Sequence, residues 1–222
     1  MKVAVWGRGA YYERGLQYLK EYGHTVSETA DLLICLAYPL ILGKKELALF
    51  PKGCINFHCG LPNFRGRHPL QWMLIEGMER IPCAIHYMDE DIDTGDIISE
   101  SSFDVDRNET YDTALEKVLK QLGPLLIDAL YRIEHDQVRR KKQPLGRYWP
   151  RRTPADSEFS FNMPSKRVHR FINAMSGTMP NAKSGGHTFA RSYIGERPGQ
   201  IVNVHGKLVI ATSDGVVVVD PK

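Results

Sequence analysis

The sequence predicts an α/β protein: a Rossmann-like parallel sheet with a mixed edge, helices on both faces, and a small β-rich carboxyl-terminal appendage. Three observations predict it. Apolar runs alternate with amphipathic stretches from Lys2 to Glu134, the order of strand–helix units. The run Asp31–Ala37 (DLLICLA) is apolar almost throughout, as a parallel strand covered on both faces must be. From His187 onward, short β-rich runs (HTFARSYI, GQIVNV, KLVIAT, GVVVV) are separated by Gly, Pro or Asp, the pattern of antiparallel strands.

The elements follow in order. Lys2–Trp6 (KVAVW) is the first strand and runs into Gly7-Arg8-Gly9. A helix over Glu13–Glu21 sets Leu16 and Leu19 on one face. His24–Val26 is a short strand after the turn at Gly23, and Asp31–Ala37 is the next strand. Lys44–Leu49 is a short helix, Cys54–His58 a buried strand, and Pro69–Met78 a helix with proline in its first turn. Ala84–Met88 is a strand, and Ile97–Phe103 pairs beside it. Over Thr110–Glu134, Leu115, Val118, Leu119, Leu122, Leu126, Ala129, Leu130 and Ile133 keep helical spacing, with Asn108 or Thr110 available as a cap. Gly123-Pro124 interrupts that pattern and predicts a kink or two helices. Ser165–Ala174 is a further helix. Residues 1–138 thus read as the main, catalytic domain, 139–158 as a basic linker, and 159–222 as a small α+β subdomain.

Composition bounds the function. The 222 residues are 42% hydrophobic and 25% charged, an ordinary globular balance with room for one sizeable core and an appendage. No apolar run approaches the ~18–20 residues that span a bilayer. The amino terminus lacks the long apolar run and cleavage site of a signal peptide, so a cytoplasmic protein without a membrane partner is expected. Cys35, Cys54, Cys59 and Cys83 form no Cys-x-x-Cys pair and lie in or beside apolar stretches, which argues for buried structural thiols and no metal site. The net charge is only +3, yet residues 139–170 carry ten Lys or Arg against Asp156 and Glu158. That stretch suits an anionic partner or a solvated strap.

The chemistry concentrates in residues 54–72, CINFHCGLPNFRGRHPLQW. Asn56 and His58 sit two apart on a strand and therefore share a face, at the carboxyl end where open α/β sheets bind ligands. A histidine moves protons near neutral pH, and an asparagine amide can donate to a developing oxyanion. The carboxylate they lack occurs at Asp93, within DEDIDTGDII. Cys59 is the competing nucleophile, but nothing near it in sequence marks an activated thiol. The set suits direct acyl transfer to an external amine better than covalent catalysis. A plain buried strand ending in a loop is the other reading.

Asn56-x-His58, Leu61-Pro62, Arg65-Gly66, His86 and Asp93-Thr94-Gly95 together resemble the 10-formyltetrahydrofolate-dependent formyltransferases. The resemblance is specific from about Leu32 to Ile98, and continues more loosely in Arg151-Arg152-Thr153-Pro154-x-Asp156. It implies that a neutral amine attacks the formyl carbonyl carried by the folate. Asn56 and a protonated His58 would stabilise the oxyanion, while Asp93 would keep His58 charged and, through a water, help move the proton. It further implies 10-formyltetrahydrofolate as co-substrate, held by Leu40, Ile41 and Leu42 and by the loop Met88, Asp89, Glu90, Asp91 and Ile92. His86 is expected to be a supporting strand residue.

Three acceptors are natural to that family: a sugar-nucleotide amine, initiator methionyl-tRNA and glycinamide ribonucleotide. Arg67-His68-Pro69-Leu70 with Trp72 is similar to the amino-sugar formyltransferases, so a nucleotide-linked amino sugar is the expected acceptor. Gly7, Arg8, Gly9, Arg65, Gly66 and Arg67 would receive it, with positive charge and backbone amides for its phosphates. A methionyl-tRNA acceptor is the alternative, a binding module that kept the fold a third reading, and a homodimer is left open. The amino-terminal part is shorter than usual for the family, as though one strand–helix unit were missing.

Overall fold

The computed structural model describes residues 1–144, 146–178, 181–194 and 208–221. Its contacts divide the chain into two compact units, each drawn from several stretches. The first comprises Met1–Gly66, Ile81–Phe103 and Glu116–Trp149, and the second Arg67–Arg80, Asp104–Leu115 and Pro150–Lys222. The boundaries at 138 and 158 read from the sequence cut the chain elsewhere, because a domain reading by composition assigns contiguous stretches.

In chain order the elements are β1 (Lys2–Gly7), α1 (Gly9–Glu21), β2 (Thr25–Val26), β3 (Leu33–Leu36), α2 (Lys44–Leu47), β4 (Cys54–Cys59), β5 (Phe64–Gly66), α3 (Pro69–Glu76), β6 (Arg80–Tyr87) and β7 (Ile97–Asp104). Then come α4 (Tyr111–Glu134), β8 (Arg147–Trp149), a 3₁₀ turn (Pro154–Ser157), α5 (Ser165–Ala174), β9 (Ala182–Ser184), β10 (His187–Ile194), β11 (Leu208–Ala211) and β12 (Val216–Pro221).

The first unit is built on a six-stranded sheet of order β2-β1-β3-β4-β6-β7. β1 pairs parallel with β2 and β3, β3 pairs parallel with β4, and β4 pairs antiparallel with β6, so the mixed edge begins there. All four residues of β3 are buried, as its unbroken apolar sequence requires. On one face, α1 packs closely on β3 and on α4. A Cβ added at Gly15 would lie 2.2 Å from Leu36, and one at Gly123 would lie 2.5 Å from the Tyr18 ring. The other face carries α2 and an aromatic group in which Trp6 meets Tyr38 at 5.5 Å and Phe50 at 5.6 Å. Residues 27–32 between β2 and β3 contain no helix, although a parallel crossover usually uses one.

Of the kink or two helices expected at Gly123-Pro124, the pair does not form: α4 is one helix with Pro124 inside it. Its apolar stripe of Val118, Leu119, Leu122, Leu126, Ala129 and Leu130 is buried on both sides of the proline, and that packing outweighs the lost backbone hydrogen bond. Thr110 caps it, its Oγ1 accepting from the Thr113 amide at 3.2 Å. The stretch read as a basic linker is not solvated throughout. Lys141 bridges to Ile97, and β8 pairs parallel with β5, Phe64 facing Arg147 and Gly66 facing Trp149.

The second unit holds α3, α5 and a four-stranded antiparallel sheet of order β11-β12-β10-β9. The expected run GQIVNV lies outside the described residues. His169, Asn173 and Ser192 form a buried network between α5 and β10, and Phe159, Phe161, Phe171 and Phe189 cluster beside it. Among the described residues no helix is long and apolar enough to cross a membrane.

Candidate active site

The site is assembled by β4, β5, β6 and the loop before β7, all within the first unit. On β4, Asn56 and His58 point to the same face, away from Phe57, which meets Tyr11 of α1 at 5.8 Å. The antiparallel register sets Asn56 opposite His86 of β6. Asp93 arrives from the loop with a left-handed backbone, φ 54°, a conformation aspartate adopts more readily than most residues. The loop is held in shape by Asp89, whose Oδ1 accepts from Thr94 Oγ1 at 2.6 Å and from the Asp91 amide at 3.2 Å. Gly95 is required there, because a Cβ would lie 1.9 Å from the Tyr87 carbonyl oxygen.

Asp93 is the hub. Its Oδ2 accepts from the Gly66 amide at 3.0 Å and faces His58 Nδ1 at 3.7 Å. Its Oδ1 accepts from Asn56 Nδ2 at 3.4 Å and faces His86 Nε2 at 3.7 Å. Burial alone would raise the carboxyl. The His58 and His86 imidazoles, the Gly66 amide and the Arg65 guanidinium outweigh it, and Asp93 titrates below its ordinary range.

The histidines play different parts. His86 Nδ1 donates to the Tyr87 carbonyl at 2.7 Å, which leaves Nε2 as an acceptor for Asn56 Nδ2 at 3.2 Å. Burial, opposed by Asp93, pushes the His86 imidazole down to about 4, so it is neutral at physiological pH. A neutral His86 thereby fixes which end of the Asn56 amide faces inward. His58 Nε2 donates to the Phe64 carbonyl at 2.9 Å, and its Nδ1 turns to Asp93. Only one Asn56 N–H is firmly spent. The other reaches Asp93 at 3.4 Å, a long contact that a developing oxyanion can replace.

The other residues singled out from sequence divide. Leu40 and Ile41 are 65% and 69% exposed, whereas Leu42 is buried in the core with Met88, so Leu42 fills the interior. Lys44, at the start of α2, pairs with Glu90 of the 88–92 loop at 3.4 Å, a contact open to solvent. Gly7 lets β1 lie against β3, since a Cβ would meet the Leu36 carbonyl at 2.1 Å. Arg8 is exposed at the start of α1, and Gly9 has φ 65° with open space around it. Arg65 was expected on the acceptor's phosphates, but its Nε donates to the Gly146 carbonyl at 3.0 Å and its Nη1 to the Ile92 carbonyl at 3.4 Å. Gly66 lends its amide to Asp93, and Arg67 is exposed at the start of the second unit.

Cys35, Cys54, Cys59 and Cys83 are all buried free thiols, and burial raises Cys35 to about 12 and Cys54 to about 11. Sequence reasoning missed the Phe64 carbonyl, the Gly146 carbonyl and the pairing of β5 with β8. No periodicity signals a three-residue strand.

Comparison with known proteins identifies the family and the fold. A family model described as formyl transferase matches residues 7–130. A methionyl-tRNA formyltransferase of Pseudothermotoga lettingae is 30% identical over 86% of this chain and 67% of its own length. One from Desulforamulus reducens is 30% identical over 71% of this chain, which spans only 51% of that relative. The crystal structure of an N-formyltransferase from Helicobacter canadensis, in complex with folinic acid and dTDP-3-aminofucose, shares the fold. Its TM-score is 0.82 at 15% identity, covering 100% of this chain and 99% of that one.

Proposed function

The chain belongs to the formyl transferase family, and on that premise we propose that it carries a formyl group from 10-formyltetrahydrofolate to the amine of an amino-sugar nucleotide. The observation that carries the reading is the convergence of Asn56, His58, His86 and Asp93 at one point on the sheet. The folate supplies the transferable one-carbon group, and the rest is positioning and proton transfer by the chain. Asn56 donates its loosely held N–H to the formyl oxygen as that oxygen gains charge. His58 donates to the same oxygen or takes the amine proton, with Asp93 as its counter-charge. One oxyanion donor of this kind contributes roughly 10²–10³ in rate, and positioned acid–base transfer about 10²–10⁴.

The residues fit the donor. Leu40 and Ile41 offer exposed apolar surface, and the backbone of the 88–92 loop would supply polar groups for a pterin. On the acceptor side, Gly7, Arg8 and Gly9 open a 13-residue helix whose first amides have no side-chain cap, a site for a phosphate.

A small acceptor is favoured over tRNA by the basic stretch itself. Arg140 lies over the Tyr87 ring at 4.2 Å and Arg147 over Trp149 at 4.0 Å. Lys141 pairs with Glu100, and Arg152 is buried with its Nη2 donating to Ser157. Charges engaged in this way are poorly disposed to neutralise a phosphate backbone. The relatives named methionyl-tRNA formyltransferase favour the second reading, in which the amine is that of methionyl-tRNA.

The experiment supplies the chain with 10-formyltetrahydrofolate and either a panel of amino-sugar nucleotides or methionyl-tRNA, following folate release and the mass of the acceptor. A formylated sugar nucleotide is expected. Turnover on methionyl-tRNA alone would establish the second reading, and no formylated product with any acceptor would end both.

A further inference from the structure

The three residues of β5 each hold one part of the site. The Phe64 carbonyl takes His58 Nε2, the Arg65 guanidinium takes the Ile92 carbonyl, and the Gly66 amide takes Asp93 Oδ2. Among the described residues, the only strand paired with β5 is β8, which follows it by about eighty residues and belongs to the stretch that reads as a linker. The fit between the two is tight. A Cβ on Gly66, itself at φ 103°, would lie 2.2 Å from the Trp149 carbonyl oxygen, and one on Gly146 would lie 2.0 Å from the Pro62 carbonyl oxygen. Phe64 stacks on Trp149 at 5.4 Å, with Arg147 over the far ring at 4.0 Å. Arg65 closes the arrangement by donating to Gly146 at the start of β8 and to Ile92 beside Asp93.

We propose that Arg65 is a positioning residue: by locking β8 and the Asp93 loop onto β5, it sets Asp93 against His58 for the transfer. The argument is geometric. Asp93 and His58 are 3.7 Å apart, and neither is bonded directly to the other. Their separation is therefore set by the peptide groups of β5 that hold each of them, and β5 is too short to hold its own position. Two donors of one planar guanidinium fix two carbonyls in different chain segments, a geometry that the single ammonium of lysine does not reproduce. Arg65 also adds positive charge beside Asp93 and so helps to keep that carboxyl ionised. This assignment gives Arg65 no direct contact with either substrate, and it rests on the reading of Asn56, His58 and Asp93 as the transfer site.

The test compares Arg65→Ala and Arg65→Lys with the unchanged chain by steady-state kinetics, and follows the ¹⁵N resonances of the His58 imidazole. A misplaced reacting group costs on the order of 10²-fold, so kcat should fall by about that factor in Arg65→Ala, with KM for donor and acceptor nearly unchanged. Arg65→Lys should recover only a small part, and the His58 resonances should move in both variants. A rise in acceptor KM with kcat intact would overturn the proposal and return Arg65 to the acceptor's phosphates. Full activity in Arg65→Lys would overturn it as well, and that variant decides the matter if Arg65→Ala fails to fold. If the unchanged chain formylates no acceptor, the function reading falls by itself. The imidazole resonances then decide alone, and unmoved signals in the variants would overturn the positioning role.

Discussion

Replacing Asp93 by asparagine preserves shape and tests whether the carboxylate matters. Asp93 accepts on both oxygens, from the Gly66 amide at 3.0 Å and from Asn56 Nδ2 at 3.4 Å. Asparagine has one acceptor oxygen, so its NH₂ must face one of those two donors whichever way the amide turns. The backbone is not the difficulty, because asparagine tolerates φ 54° at least as well as aspartate. One buried donor left facing another costs about 1–3 kcal/mol, which lowers the melting temperature by about 2–4 °C for each kcal/mol in a chain of this size. The catalytic loss is larger. His58 loses its counter-charge and the proton path loses its base, so kcat should fall about 10²–10⁴-fold. Single-turnover formyl transfer and a thermal melt on the same preparation separate the two effects. A variant that melts lower but turns over within about tenfold of the parent would refute the assignment of Asp93 to proton transfer and leave it a structural cap.

Two further outcomes follow from charge and geometry. The unfolded chain binds a proton at His86 near pH 6.5, whereas the folded chain resists until about 4, so stability is fully present above 6.5 and is lost as pH falls through that window. The loss is on the order of 3 kcal/mol, and His86→Leu should flatten the dependence of melting temperature on pH between those limits; an unchanged slope would mean that another group titrates there. Asp93 acts differently, since its lowered carboxyl contributes stability that is lost only below the usual carboxylate range. At the carboxyl end of β1, Arg8→Ala should raise KM for the sugar nucleotide and leave KM for the folate nearly unchanged, and an equal rise in both would remove Arg8 from the acceptor site.

What the sequence reveals about this molecule follows from where its forces are local. β1, β3, β4, α4 and α5 are legible because burial on one face, or on both, imposes a period on adjacent residues. At Pro124 the local reading leaves a kink and a pair of helices open, and the continuous buried stripe of α4, packed against α1 where Gly123 meets Tyr18, keeps a single helix. Asn56 and His58 are legible as a pair through their spacing alone, and Asp93 as a candidate carboxylate in a loop, but no spacing sets that carboxylate beside them. The role of His86 depends on the β4–β6 register, and register is a property of pairing that no single strand carries. The sequence presents residues 40–42 together as a pocket wall. Two are open to solvent while Leu42 turns into the core, because three consecutive side chains cannot all take one direction. Arg65 illustrates the deepest limit. A guanidinium after a strand serves a phosphate or a carbonyl equally well, and here the choice is made by Gly146, a residue eighty-one positions away. A stretch without periodicity is therefore poor evidence of a linker, because a three-residue strand can take its position entirely from a distant partner.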